Sequence, residues 1–233
     1  TLMMDGKALA LNVPARARSF TRHQKRWLAV STAALAGTFA LGFFTDLLYG
    51  ALLLALALIS LAYPVRIARL RQLPVRSLAD VPASKDVFMA AGWSFLIVVL
   101  PLLAGPAEGV SIPAAVAAFF MIGGLVFVRA LLRDFRDIQA DRMIGRETLP
   151  IALGTGRTRW ILYMSLIGVA AVMVLATALG GTPAPRGYAL LVPLGYAAAC
   201  VPLFTRQTIV QGFGAEFVID AAFLIAGAAA LVP

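Results

Sequence analysis

Seven apolar stretches, at 27–45, 47–63, 87–104, 110–128, 160–180, 187–205 and 214–233, occupy most of this 233-residue chain. Each is about as long as a helix must be to cross the roughly 30 Å hydrocarbon layer of a bilayer. Lipid offers no partner to backbone polar groups, so each span has to satisfy its own N–H and C=O groups, helix by helix. The pattern predicts an all-α, polytopic transmembrane bundle of seven spans, with 1–233 as one membrane domain. Composition agrees: 61% of residues are hydrophobic and 13% charged, outside the range of soluble domains.

The connections between the spans differ in charge. Of the 20 Lys and Arg residues, 19 fall in the N-terminal segment and in the connections 64–86, 129–159 and 206–213; Arg186 alone lies in a short connection on the other side. Basic residues beside spans mark the cytoplasmic face, which predicts an integral, multi-pass membrane protein with these segments in the cytoplasm. The same rule explains the net charge of +9, so anionic lipid headgroups suffice as partners and nucleic acid is not required. The single cysteine, Cys200, sits within a span, which excludes a disulfide framework and a cysteine-based metal site.

A basic, aspartate-bearing segment precedes the first span and another precedes the fifth, a coarse duplication of the kind found where two halves enclose a polar site. The second of these segments is the richer in chemistry. Residues 133–154, RDFRDIQADRMIGRETLPIALG, follow directly on an apolar run. On a helix, Asp134, Asp137 and Asp141 share one face. Asp137 and Asp141 form DxxxD, two hard oxygen donors one turn apart, which suits Mg²⁺ completed by waters and substrate phosphates. Arg133, Arg136, Arg142 and Arg146 supply positive charge nearby. Gly145 and Gly154 bracket a turn in which Pro150 limits further helix. The other reading of the same residues is a solvated helical end whose acids and arginines pair with one another.

The run DIQADRMIGRETLPIALG resembles the second aspartate-rich motif of the UbiA superfamily of intramembrane prenyltransferases, including the following G-x-x-T-L-P-x-x-x-G. Asn12, Pro14 and Arg16 match the N-x-P-x-R that follows that family's first motif. Tyr63 with Arg66 and Arg69 is similar to its tyrosine-plus-basic motif. The resemblance implies nine transmembrane helices around a central chamber, two of them upstream of Thr1. It also implies Mg²⁺ held by Asp137 and Asp141, with Asp134 and Asp5 contributing. Arg16, Arg66, Arg69 and Lys85 would bind the diphosphate of an isoprenyl donor. Asn12, Tyr63, Trp93 and Asp220 are candidates for the chamber, with Phe88 a further aromatic able to face an allylic cation. A lipophilic acceptor would be alkylated there, away from water.

The first motif departs from the family pattern. Positions 1–9 read TLMMDGKAL, where N-D-x-x-D-x-x-x-D is expected. Asp5 keeps the central aspartate, while Thr1, Leu2 and Leu9 replace the Asn and the flanking aspartates. Beside a Mg²⁺-dependent prenyltransferase this motif leaves room for a catalytically impaired relative that binds prenyl lipids, and the duplication and the acids at the membrane leave room for an ion-coupled membrane transporter. Glu216 and Asp220 sit at i, i+4 near the start of the last span. The helix dipole accounts for Glu216, while Asp220 lies a turn deeper, where an unpaired charge is expensive.

Overall fold

The structure, a computed structural model, describes residues 22–63, 83–105, 109–143, 145, 147–206 and 213–233. Among these residues every regular element is helical. Five helices are long and apolar enough to cross a membrane: Gln24–Thr45, Ser84–Leu103, Ile112–Met143, Thr155–Ala178 and Ala184–Thr205. The other two expected spans appear as the apolar helix Leu47–Ala62, of 16 residues, and Phe213–Ala230, of 18. Length and apolarity together thus support a helical membrane bundle with five such spans, and do not by themselves establish seven.

Helices α1 (Gln24–Thr45) and α2 (Leu47–Ala62) fold into a hairpin about a single residue, Asp46. Its extended backbone interrupts the helix, and its Oδ1 accepts from the N–H groups of Leu48 (2.7 Å) and Tyr49 (3.2 Å), capping α2. Small residues let the two helices close: a Cβ on Gly50 would fall 2.4 Å from the Phe43 ring.

Helix α3 (Ser84–Ser94) passes through a π-helical segment, Phe95–Val99, into α4 (Leu100–Ala104). The widened turn immediately precedes Pro101, whose ring would clash with the carbonyl of residue 97 in a regular α-helix. The Leu100 N–H reaches back to Phe95 O instead.

The centre of the bundle is α5 (Ile112–Met143). Its 32 residues extend for about 48 Å, well beyond the hydrocarbon thickness. The charged stretch that follows the apolar run is therefore a continuation of the helix, and 129–143 is no loop. No Gly or Pro occurs between Leu125 and Met143, so nothing breaks the ladder until Gly145, which takes φ +70°. α5 packs against α3 and against three later helices, α7 (Thr155–Ala178), α9 (Leu191–Thr205) and α10 (Phe213–Ala230). Val128, Leu131, Leu132 and Phe135 are almost wholly enclosed there. Higher on the same helix, Gly123 and Gly124 give access on two sides. A Cβ on Gly123 would meet Ser94 Oγ at 2.7 Å, and one on Gly124 would meet Val169 Cγ2 at 2.5 Å.

One short turn, α6 (Leu149–Ala152), follows α5 and carries Pro150 at its start; Gly154, at φ +84° and ψ 157°, then admits the chain to α7. A further short helix, α8 (Ala184–Ala189), joins α7 to α9.

Candidate functional site

The last four turns of α5 hold three aspartates and three arginines, and helical geometry divides them between two neighbours. Asp134 and Asp141, seven residues apart, differ by only about 20° around the axis, and Asp137 lies roughly 40–60° further round. Asp134 and Asp141 are buried, at 5% and 3% exposure, while the Asp137 side chain keeps 23%. The expected shared face is therefore present, and it curves from α3 towards α10.

On the α3 side, Lys85 Nζ donates to Asp134 Oδ1 at 2.7 Å and lies 3.5 Å from Asp86 Oδ1. Asp86 is 1% exposed and sits in the first turn of α3, where the helix dipole favours negative charge. Tyr63, at the end of α2, stacks on Phe88 with ring centroids 4.7 Å apart, and its hydroxyl shares a 2.7 Å hydrogen bond with Ser84 Oγ. α2 is thereby fastened to the start of α3, beside Lys85.

Ion pairs form a ladder on the α10 side. Arg129, Arg133 and Arg136 recur at i, i+4, i+7, which places them along one stripe of α5. Glu216 and Asp220 form the answering i, i+4 stripe on α10. Arg129 Nε pairs with Asp220 Oδ1, and its Nη2 donates to Oδ2 at 3.1 Å. Arg129 Nη2 also lies 4.0 Å from Glu216 Oε2, and Arg133 Nη2 is 3.5 Å from Glu216 Oε1. Arg136 Nη1 donates to Glu216 Oε1 at 3.0 Å. The remaining edge of the Arg136 guanidinium grips Asp137, Nε to Oδ1 at 3.0 Å and Nη2 to Oδ2 at 3.3 Å.

Of the residues singled out from sequence, the fold brings Lys85 to Asp134, sets Asp137 beside Asp141 on α5, and pairs Asp220 with Arg129. Tyr63 and Phe88 meet each other. Trp93 lies on α3 with 52% of its surface exposed. Asp5, Asn12, Arg16, Arg66 and Arg69 lie outside the described residues. Arg129 carried no expectation, although it interrupts the apolar run FVRALL and begins the i, i+4, i+7 series. The role of Glu216 as the acid that faces three arginines was likewise unread.

Among the described residues, no group of three or more His, Cys, Asp or Glu side chains converges as a metal site. Mg²⁺ does not require one: one or two carboxylates, with waters and substrate phosphates, complete its octahedron. Asp137 and Asp141, hard oxygen donors one turn apart at the end of α5, fit that demand.

Residues 12–217 match the UbiA prenyltransferase family. Over 131 residues the chain is 32% identical to a digeranylgeranylglyceryl phosphate synthase of Natronomonas pharaonis, an alignment covering 53% of this chain. It covers 46% of that protein, so the match spans about half the length of the curated relative. No solved structure matches significantly. A family match across 12–217, taking in the aspartate-bearing end of α5 and the start of α10, makes the chain a member of the UbiA prenyltransferase family.

Proposed function

We propose that this protein transfers an isoprenyl group from a prenyl diphosphate to a lipophilic acceptor within the membrane, at a Mg²⁺-dependent site on the cytoplasmic end of α5. The observation that carries the reading is the placement of Asp137 and Asp141 one turn apart on a helix that also bears Arg133, Arg136 and Arg142. Carboxylates and arginines interleaved at a membrane boundary suit a substrate with an anionic diphosphate head and an apolar tail. The concentration of basic residues in the same set of connections supports a cytoplasmic orientation.

Asp137 and Asp141 would hold the metal, with Asp5 and Asp134 as further carboxylates. Bound there, Mg²⁺ supplies the positive charge that favours departure of the diphosphate. Lys85, on the neighbouring helix, lends an ammonium group beside the same face, and Arg16, Arg66 and Arg69 add charge-assisted contacts to the phosphates. Their common task is to stabilise negative charge as the allylic C–O bond breaks. Tyr63, Phe88 and Trp93 offer aromatic faces to the allylic carbon, each worth about 0.5–2 kcal/mol if it meets the cation. Asn12 and Asp220 are proposed for the chamber in which the acceptor waits. The apolar walls keep water from intercepting the cation.

The test is diphosphate release from a prenyl diphosphate by membranes containing the protein. The relative's name makes geranylgeranylglyceryl phosphate the first acceptor to supply. Asp137→Asn and Asp141→Asn should each abolish release, and parental turnover in both variants overturns the proposal. Thr1, Leu2 and Leu9, which stand where the family's first motif has Asn and aspartates, favour a second reading, prenyl diphosphate binding without transfer. Tight binding with no acceptor-dependent turnover decides for that one.

A further inference from the structure

Neighbouring residues on a helix point about 100° apart and do not ordinarily face each other. Arg136 nevertheless grips Asp137, the residue directly after it, with two parallel hydrogen bonds of 3.0 and 3.3 Å. Its third nitrogen explains the posture. Arg136 Nη1 is anchored 3.0 Å from Glu216 Oε1 on α10, which holds the guanidinium plane across the stripe between the two helices. The three side chains are largely enclosed, at 12%, 23% and 19% exposure for Arg136, Asp137 and Glu216. A planar fork held on both edges fixes a carboxylate in plane and direction far better than a single flexible donor.

We propose that Glu216 is a positioning residue for Asp137, acting through Arg136. The inference rests on the reading of Asp137 as a metal-holding carboxylate. Glu216 touches neither metal nor substrate in this scheme. It fixes the Arg136 fork, and the fork presents the Asp137 carboxylate in a single orientation. Docking of α10 against α5 is thereby coupled to the shape of the site, since the acid that completes the arrangement comes from a helix 80 residues away in sequence. Partners that orient a metal-holding carboxylate typically account for a 10- to 100-fold difference in metal affinity.

The experiment is a titration of the purified full chain in detergent with Mn²⁺, the free ion followed by its electron paramagnetic resonance signal. Glu216→Gln keeps the volume and removes the charge, and is expected to weaken Mn²⁺ binding about tenfold. Tyr196→Phe is the structural control. It deletes the 2.8 Å hydrogen bond from the Tyr196 hydroxyl to Val218 O, which ties α9 to α10 without touching the ladder. It should leave Mn²⁺ affinity at the parental value. Because Glu216 acts through Arg136, the double variant R136Q/E216Q should bind no more weakly than R136Q. Parental or tighter affinity in E216Q, an equal loss in Y196F, or additive losses in the double variant each overturn the positioning role. Asp137→Asn separates the two levels. Loss of affinity in D137N with retention in E216Q removes the positioning role alone, whereas parental affinity in D137N removes the site itself.

Discussion

The Lys85 ammonium lies 2.7 Å from Asp134 Oδ1 and 3.5 Å from Asp86 Oδ1, so one cation on α3 faces two carboxylates that the bundle buries. The arrangement is asymmetric. The Lys85 side chain is 34% exposed, whereas those of Asp134 and Asp86 are 8% and 1% exposed.

That asymmetry sets the order of two substitutions. Lys85→Met takes a cation away from two enclosed acids and should destabilise the fold by about 2–3 kcal/mol. Asp134→Asn leaves the ammonium with Asp86 and a partly open path to water, and should cost about 1 kcal/mol. Thermal unfolding in detergent should rank the parent above D134N and D134N above K85M. The reverse order contradicts the claim that Lys85 neutralises both acids.

The hairpin of α1 and α2 depends on Asp46, whose carboxylate caps two backbone N–H groups at once. Asp46→Ala should cost about 1 kcal/mol, and Asp46→Asn, which retains a capping oxygen, only a few tenths. Equal loss in the two variants would show that charge, and not the cap, is what counts there.

The membrane character and the helical class were legible because a bilayer demands long apolar helices and little else does. The aspartate face was legible too, since Asp134, Asp137 and Asp141 follow helical spacing without any knowledge of neighbours. Hydropathy misled on one point: it ended the fourth span at 128, because charge marks where lipid stops. Helix propensity does not stop there, and Leu, Arg, Asp and Ala carry α5 on to Met143. The ladder to α10 was beyond reach for a different reason. Arg129 and Arg136 lie 91 and 80 residues from their acids, and only packing decides which stripe of α5 faces α10. Lys85 illustrates the same limit, since its meeting with Asp134 needs the register of α3 against α5.

Gly124 marks a close approach of α5 and α7, where an added Cβ would sit 2.5 Å from Val169 Cγ2. Val169 is buried and stiff at χ1, so it cannot swing aside cheaply. Gly124→Ala should therefore cost about 1–3 kcal/mol through overpacking. Removing the obstructing methyls should restore room, so G124A/V169A is expected to unfold at a higher temperature than G124A. No recovery in the double variant would place the clash elsewhere.

Arg129 and Asp220 give the sharpest test of the ladder, because their pair joins α5 to α10 and a charge that loses its partner between packed helices is costly. Replacing one partner leaves the other exposed to that cost; replacing both removes it. Arg129→Leu and Asp220→Leu should each destabilise the protein, and R129L/D220L should lie closer to the parent than either single variant. The two singles should be alike in size, for different reasons. Arg129 retains Glu216 at 4.0 Å when Asp220 is lost, which softens D220L to about 1–2 kcal/mol. Asp220 has no comparable second cation within 4 Å among the described residues, but 44% of its side chain is exposed and water can take the place of the guanidinium, so R129L should also cost about 1–2 kcal/mol. Thermal unfolding of the three variants checks both statements at once. Strictly additive losses would mean that the two side chains act independently, and that this pair adds nothing to the docking of α10 on α5.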